Sequence, residues 1–331
     1  MSISLRRFGA IASVLILAAC ATATSAPLLD GHVDDQGWRA EAFTTRAVGL
    51  GLPGGPVLAD GVTYAGGIEI QLPIGSPLHS VSDLKLTGGD GFVSVSDIGD
   101  LVQGRLVLDS RGRLTGVRDL AVRRLTLPDG SDITEKYDGD AEGLLFLDNG
   151  DLVVSFERNH RLWNYGPLDA LRNIPTALRR PDVAFAENDG MEGIATAPGG
   201  WRVTGESGGV WDCNPAACVT VTAPPEPLLG DGDFRITGMD RDPSGKGASQ
   251  GGWFVVQRSY RPPIDARAQV RRMAPDGTLG PVLITLKLPG LTDNFEGVAA
   301  ERRNGTTRLY ILSDDNNNPL QKTLLLAFDV R

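Results

Sequence analysis

Three glutamates stand directly before glycine in otherwise similar stretches: Glu142-Gly143, Glu192-Gly193 and Glu296-Gly297. Each pair opens a short apolar run. A turn and a second apolar run follow, and the second run closes on another acid: Glu157, Glu206 or Asp314. Carboxylates gathered in one place repel one another unless a cation or shared protons compensate. An all-oxygen set suits Ca²⁺, which takes six to eight ligands from carboxylates, amides and carbonyls. The expected ligands are Glu142, Glu192 and Glu296, with Asn294 and Asp314 as further oxygens. Such an ion would polarise a substrate oxygen and activate water. Glu157 or Glu206 would then serve as general base, and Arg258 or Arg235 would orient an anionic group through the guanidinium fork. The alternative is structural: acids that cap turns and brace the fold through arginine pairs. Asp138-Gly-Asp140 and Asp231-Gly-Asp233 lack the spacing of an EF-hand loop. No Gly-x-Ser-x-Gly occurs, and with three histidines in the chain a serine hydrolase is not expected.

The elements that would carry these groups are short strands. The stretches from Asp140 and from Asp189 turn at Asp148-Asn-Gly150 and Pro198-Gly-Gly200; that from Asn294 turns at Asn304-Gly305. A fourth copy, Ile236-Thr-Gly238-Met-Asp240, continues as Trp253-Phe-Val-Val-Gln-Arg258, and a weaker one runs from Ser82-Asp83-Leu84 to Phe92. Asn-Gly turns favour positive φ and hence hairpins. Glycines 143, 193, 238 and 297 recur at intervals of 50, 45 and 59 residues. Those intervals fit one four-stranded blade per unit of an all-β propeller. About 305 residues at roughly 50 per blade predict six blades, the sixth shared between the chain ends, with five or seven the alternatives. In a propeller the first strand of each blade lines the central channel, so Glu142, Glu192 and Glu296 are expected at one mouth. Glycine after the acid fits backbones that crowd towards an axis. Whether Glu157, Glu206 and Asp314 reach that mouth depends on blade geometry. A pair of β-sandwiches is the competing architecture, but it needs no acid-glycine repeat. Pro167–Leu178 is the one stretch with helical character.

The chain begins with a charged Arg6-Arg7 pair and an apolar stretch of 12 residues, Phe8–Ala19, closed by Leu17-Ala18-Ala19-Cys20. Twelve residues cannot span about 30 Å of hydrocarbon as a helix, so this reads as a signal peptide. The Leu-Ala-Ala-Cys ending has the form of a lipobox. It predicts a signal peptide over 1–19, lipidation at Cys20, a linker over 20–40 and a single domain over 41–331. An ordinary signal peptide cut near Ala23 or Ala26 is the alternative. The expected location is the outer membrane, facing the periplasm or the cell surface, with the lipid as the sole membrane attachment. The remaining Cys213 and Cys218 bracket Asn-Pro-Ala-Ala, a turn that would bring their sulfurs together in an oxidising compartment. Without nearby histidines they make half a zinc site at best. A net charge of −9 argues against nucleic acid as a partner. A monomer binding a small, anionic molecule is expected.

Phe234-Arg-Ile-Thr-Gly-Met-Asp240, Val256-Gln-Arg258-Ser with Arg261-Pro-Pro, Asp293-Asn-Phe-Glu-Gly297, and Ser313-Asp-Asp-Asn316 with Gln321-Lys-Thr-Leu-Leu resemble the phytase-like domain family of exported bacterial proteins. That family is labelled "esterase-like activity of phytase". The resemblance runs from Ala65 to Arg331 and implies a propeller with esterase or phosphoesterase activity. A more distant similarity to six-bladed calcium-dependent lactonases rests on the Glu-Gly strand starts. The lysine-rich surface of a true β-propeller phytase has no counterpart here: the channel motifs are acidic and arginines would serve instead. The chain thus reads as an exported calcium-dependent hydrolase of an ester, lactone or phosphate ester. A non-catalytic envelope propeller that binds a ligand or protein partner is the alternative.

Overall fold

A computed structural model describes residues 33–245, 251–262 and 264–331. The expected signal peptide and the lipid site at Cys20 lie outside the described residues. Among the described residues, apart from a helical turn over Lys136–Gly139 and a 3-10 turn over Leu168–Ala170, the regular structure is strand.

The strands form five antiparallel blades around an axis. Blade 1 contains Val81–Gly88, Gly91–Ser96, Asp100–Leu108 and Leu114–Arg124. Blade 2 contains Ala141–Phe146, Asp151–Phe156, Arg161–Pro167 and Thr176–Leu178, and blade 3 contains Met191–Ala197, Gly200–Gly205, Val210–Cys213 and Cys218–Thr222. Blade 4 contains Arg235–Arg241, Trp253–Arg261, Asp265–Met273 and Leu279–Lys287. Blade 5 takes Asn294–Arg303, Thr306–Asp314 and Thr323–Val330 from the end of the chain, and Val62–Gln71 from near its start. The innermost strands touch in cyclic order from blade 1 to blade 5 and back to blade 1, which closes the ring.

The propeller expectation holds, but the count of six is corrected to five. The described residues before Val62 build no blade of their own. Their short strands pair onto existing edges: Arg39–Ala40 on blade 1, Thr44–Ala47 on blade 5 and Val57–Leu58 on blade 4. The long intervals near 60 residues are filled by the nine-residue strands of blade 4 and the excursion between blades 1 and 2, not by an additional blade. The blade shared between the two chain regions is therefore the fifth.

Blades cohere because each strand alternates and both sheet faces meet a neighbour. Phe254, Phe295 and Phe328 fill the seam between blades 4 and 5, and Leu101, Leu144 and Phe156 that between blades 1 and 2; all are fully buried. Both residues of the Asn304-Gly305 turn have positive φ, as a tight hairpin requires. The helical character expected over Pro167–Leu178 is confined to the 3-10 turn at Leu168–Ala170. Ile174 precedes Pro175, which disfavours helical backbone at that position. Thr176–Leu178 instead pairs with Leu162–Asn164 as the outer strand of blade 2.

Candidate functional site

At one end of the axis every innermost strand departs from regular pairing at the same place. Glu142, Glu192, Thr237 and Glu296 each lack an opposite residue, because the register slips across them. A bulge of this kind turns the extra side chain out of the sheet, here towards the axis. The following glycine lets neighbouring innermost strands approach: a Cβ on Gly143 would lie 2.8 Å from the carbonyl oxygen of Glu192, and one on Gly238 would overlap that of Glu296. In blade 1 the bulge spans Asp83 and Leu84, and Asp83 takes the positive φ of 48°. The axial ring thus reads Ser82, Glu142, Glu192, Thr237, Glu296. Ser82 and Thr237 complete it with hydroxyls, donating to Glu296 Oε2 (3.0 Å) and to the Phe295 carbonyl (2.9 Å).

The second strand of each hairpin ends beside the start of the first, so Glu157, Glu206 and Asp314 arrive at this same mouth. The Glu157 amide donates to Asp140 O and the Glu206 amide to Gly190 O. Two sets of carboxylate oxygens come within 4.8 Å of one another: Asp140 with Glu142 and Glu157, and Glu157 with Glu192 and Glu206. Glu157 belongs to both. Glu142, Glu157 and Glu192 are 9, 7 and 4 % exposed. Among the described residues no hydrogen-bond donor reaches these three carboxylates.

The other expected ligands are held differently. Glu296 accepts from Ser82, from Asn294 Nδ2 (2.8 Å) and from Arg258, whose Nη1 lies 3.0 Å away. Asn294 Oδ1 also accepts from Arg258, and Asp314 accepts from the Asn316 amide at 2.6 Å. Arg258 and Arg235 both pair with Glu206, at 3.1 and 3.3 Å. All nine residues read from the sequence as ligands, bases or anion binders therefore share one mouth, divided into two halves. Glu142, Glu157 and Glu192, without a donor among the described residues, occupy one half and an arginine-braced network the other. Asp140, tied to Lys136 (2.7 Å) and to Arg158, joins this mouth although Asp138-Gly-Asp140 has no EF-hand spacing. The Asp140-Ala-Glu142 spacing was its signal.

Burial, reinforced by the neighbouring acids, drives the electrostatics. The Glu157 carboxyl is pushed up to about 8 by burial, then by Asp140 and Glu206. Glu142 and Glu192 are raised well above the usual range by burial and by the acids around them. Asp314 is raised likewise, burial first and Glu296 next. Burial opposes the charge on Arg258, but Glu296, Glu206 and Glu192 outweigh it and hold the guanidinium protonated.

One step deeper the channel is plugged. Lys85 Nζ lies 2.6 Å from Asp83 and donates to the Met239 carbonyl at 3.0 Å, while Asp83 accepts from the Leu144 amide at 2.7 Å. This buried pair ties blade 1 to blades 2 and 4 and separates the acidic mouth from a cavity of about 210 Å³ at the opposite end. Beside the acidic mouth, Arg235, Arg258 and Asn294 line a cleft of about 580 Å³ over blades 4 and 5. The expected Cys213–Cys218 disulfide is present, joining cross-strand partners of the outer hairpin of blade 3.

Residues 76–317 match the family model described as "Phytase-like: Esterase-like activity of phytase". No curated protein matches the chain. Solved structures similar to it include a protein titled a putative gluconolactonase, at 13% identity and a TM-score of 0.45, covering 85% of this chain and 95% of that one. The major allergen Mala s 1 of Malassezia sympodialis follows at 13% identity, a TM-score of 0.43, and 87% and 89% coverage. The WD40 propeller domain of Doa1 gives 10% identity, a TM-score of 0.37, and 82% and 97% coverage. At such distances the blade count rests on the strand order alone. The match over 76–317 takes in the five innermost strands and all nine site residues, and it shows that the chain belongs to the phytase-like family.

Proposed function

We propose that the protein is a hydrolase of an ester, lactone or phosphate ester that depends on a divalent cation held by the axial carboxylates. The observation that carries this reading is the triad Glu142, Glu157 and Glu192: buried, convergent and without a donor among the described residues. Burying carboxylates without compensation is costly, and their proton affinities rise in consequence. A donor set made only of carboxylate oxygens fits a hard cation, and Ca²⁺ tolerates such irregular geometry better than Mg²⁺. Asp140, Glu142 and Glu157 would hold it. When bound, the cation supplies Lewis-acid polarisation and a more acidic water. Glu192, which shares an oxygen cluster with Glu157, would take a proton from the attacking water as general base. Arg258 and Arg235, braced by Glu206, face the cleft and bind the negative charge that develops on the substrate oxygen.

Purified protein is expected to bind calcium in a calorimetric titration, and to turn over at least one of p-nitrophenyl acetate, p-nitrophenyl phosphate and a simple lactone. EGTA should abolish that turnover and added calcium restore it. Calcium binding with no turnover of any of the three would put a ligand-binding propeller in the enzyme's place. Absence of calcium binding would remove the metal from both readings. Export as a lipoprotein belongs to the same proposal, supported by the disulfide, which persists in oxidising compartments. Radiolabelled palmitate should be incorporated by the wild type and not by Cys20→Ala; equal labelling would end the lipoprotein reading.

A further inference from the structure

The cleft beside the acidic mouth has walls of two kinds. Its inner end is polar, formed by Arg235, Arg258 and Asn294. Farther out, polar residues such as Arg267 and Gln321 alternate with exposed apolar ones: Ile264, Leu288 and Leu320 are 69, 52 and 88 % exposed, and Tyr260 is half exposed. These residues come from three separate connections. Tyr260 lies at the end of the second strand of blade 4 and Ile264 in the turn after it, Leu288 follows its fourth strand, and Leu320 lies in the loop before Thr323–Val330 of blade 5. Single exposed apolar side chains are ordinary, but several converging from unlinked loops on one concavity mark a binding surface. The volume of about 580 Å³ falls in the range of small-molecule sites and exceeds what a short polar substrate fills.

Resting on the hydrolase reading, we propose that this cleft binds an uncharged acyl or alkyl chain of the substrate, with the bond to be cleaved lying inward at the carboxylates. Charge favours this occupant over a second anionic group. The three arginines that line the cleft are each already paired, Arg235 and Arg258 with Glu206 and Glu296 and Arg267 with Asp265, so beyond the charge that develops at the reacting bond a second anion finds no free arginine there. An aliphatic chain needs no counter-charge and covers apolar area that water now wets.

Primary alcohols from butanol to octanol mimic the leaving group of an alkyl ester and carry no charge. Their affinity for the calcium-loaded full-length chain, measured by ligand-observed NMR, should rise about two- to fourfold per added methylene. Leu288→Asn and Leu320→Asn, both at exposed positions, should keep the wild-type melting temperature and flatten that series, weakening octanol at least tenfold. A flat series in the wild type, or an equal rise in both variants, would overturn the proposal. A steep series in a protein that hydrolyses no octyl ester would retain the cleft and sink the hydrolase reading. Hydrolysis of octyl and ethyl esters alike with a flat alcohol series would do the reverse.

Discussion

Glu157 sits in both carboxylate groups and lacks any donor among the described residues, so it is the residue most exposed to the presence or absence of a cation. Its replacement by glutamine has consequences of opposite sign. In EGTA at pH 9, where a carboxyl pushed up to about 8 is ionised, Glu157→Gln removes one charge from a repelling cluster and is expected to raise the melting temperature by a few degrees. In calcium the same change deletes a shared ligand, so the dissociation constant should rise at least tenfold by calorimetry. A variant less stable than wild type in EGTA would show that the carboxylate is braced structurally and not held for an ion. The contrast with Glu296 is instructive at the same scale. Glu296 also precedes a glycine, yet it spends its oxygens on Ser82, Asn294 and Arg258. Identical local sequence therefore carries two electrostatic situations, decided by which neighbour supplies a cation.

The bulged innermost strand is the element that makes the ring. It combines an unpaired residue aimed at the axis with a glycine that lets the next blade's backbone pass. Gly238→Ala tests this directly. The new methyl would overlap the carbonyl oxygen of Glu296 in blade 5, so the two blades must separate or the strand must shift. The expected loss is about 3 kcal/mol, read as a lower urea midpoint with an unchanged slope. A midpoint within error of wild type would mean that the ring backbones are not crowded. Blade 1 reaches the same end by another route. Asp83 adopts positive φ where the other strands use glycine after the ring residue, and its buried pairing with Lys85 holds that conformation. This explains why blade 1 reads as the weakest copy of the repeat.

At the scale of the whole molecule, carboxyls with raised proton affinity set how stability responds to pH. Glu157 is pushed up to about 8 by burial and neighbouring acids, and Asp83, Asp100 and Asp293 to about 6, in each case chiefly by burial. An acid whose folded value exceeds its unfolded one keeps its proton longer in the native state. The folded protein then binds more protons across that window, and its stability falls as pH rises through it. In EGTA the melting temperature should decline from pH 5 to pH 8; saturating calcium, which favours the charged carboxylates, should shrink the decline. A chelated protein whose melting temperature held level or rose over that range would contradict the picture. Glu-Gly pairs at blade intervals, hairpin turns rich in glycine and the Cys-x₄-Cys turn made the propeller, the convergence of Glu142, Glu192 and Glu296 and the disulfide legible from the chain alone, because each is a local pattern repeated or closed over short range. A blade shared between the chain ends was legible, and Val62–Gln71 pairs with Thr323–Val330 to make it; the blade count was not, because the short strands before Val62 add to the edges of blades 1, 4 and 5, a choice between distant partners that no local pattern encodes. Nor were the hydroxyls of Ser82 and Thr237 at the ring, the sharing of Glu157 between two acid groups, or the apolar cleft beside Arg258. Those arise where side chains from different blades meet, and only the closed ring decides which of them lie within reach of one another.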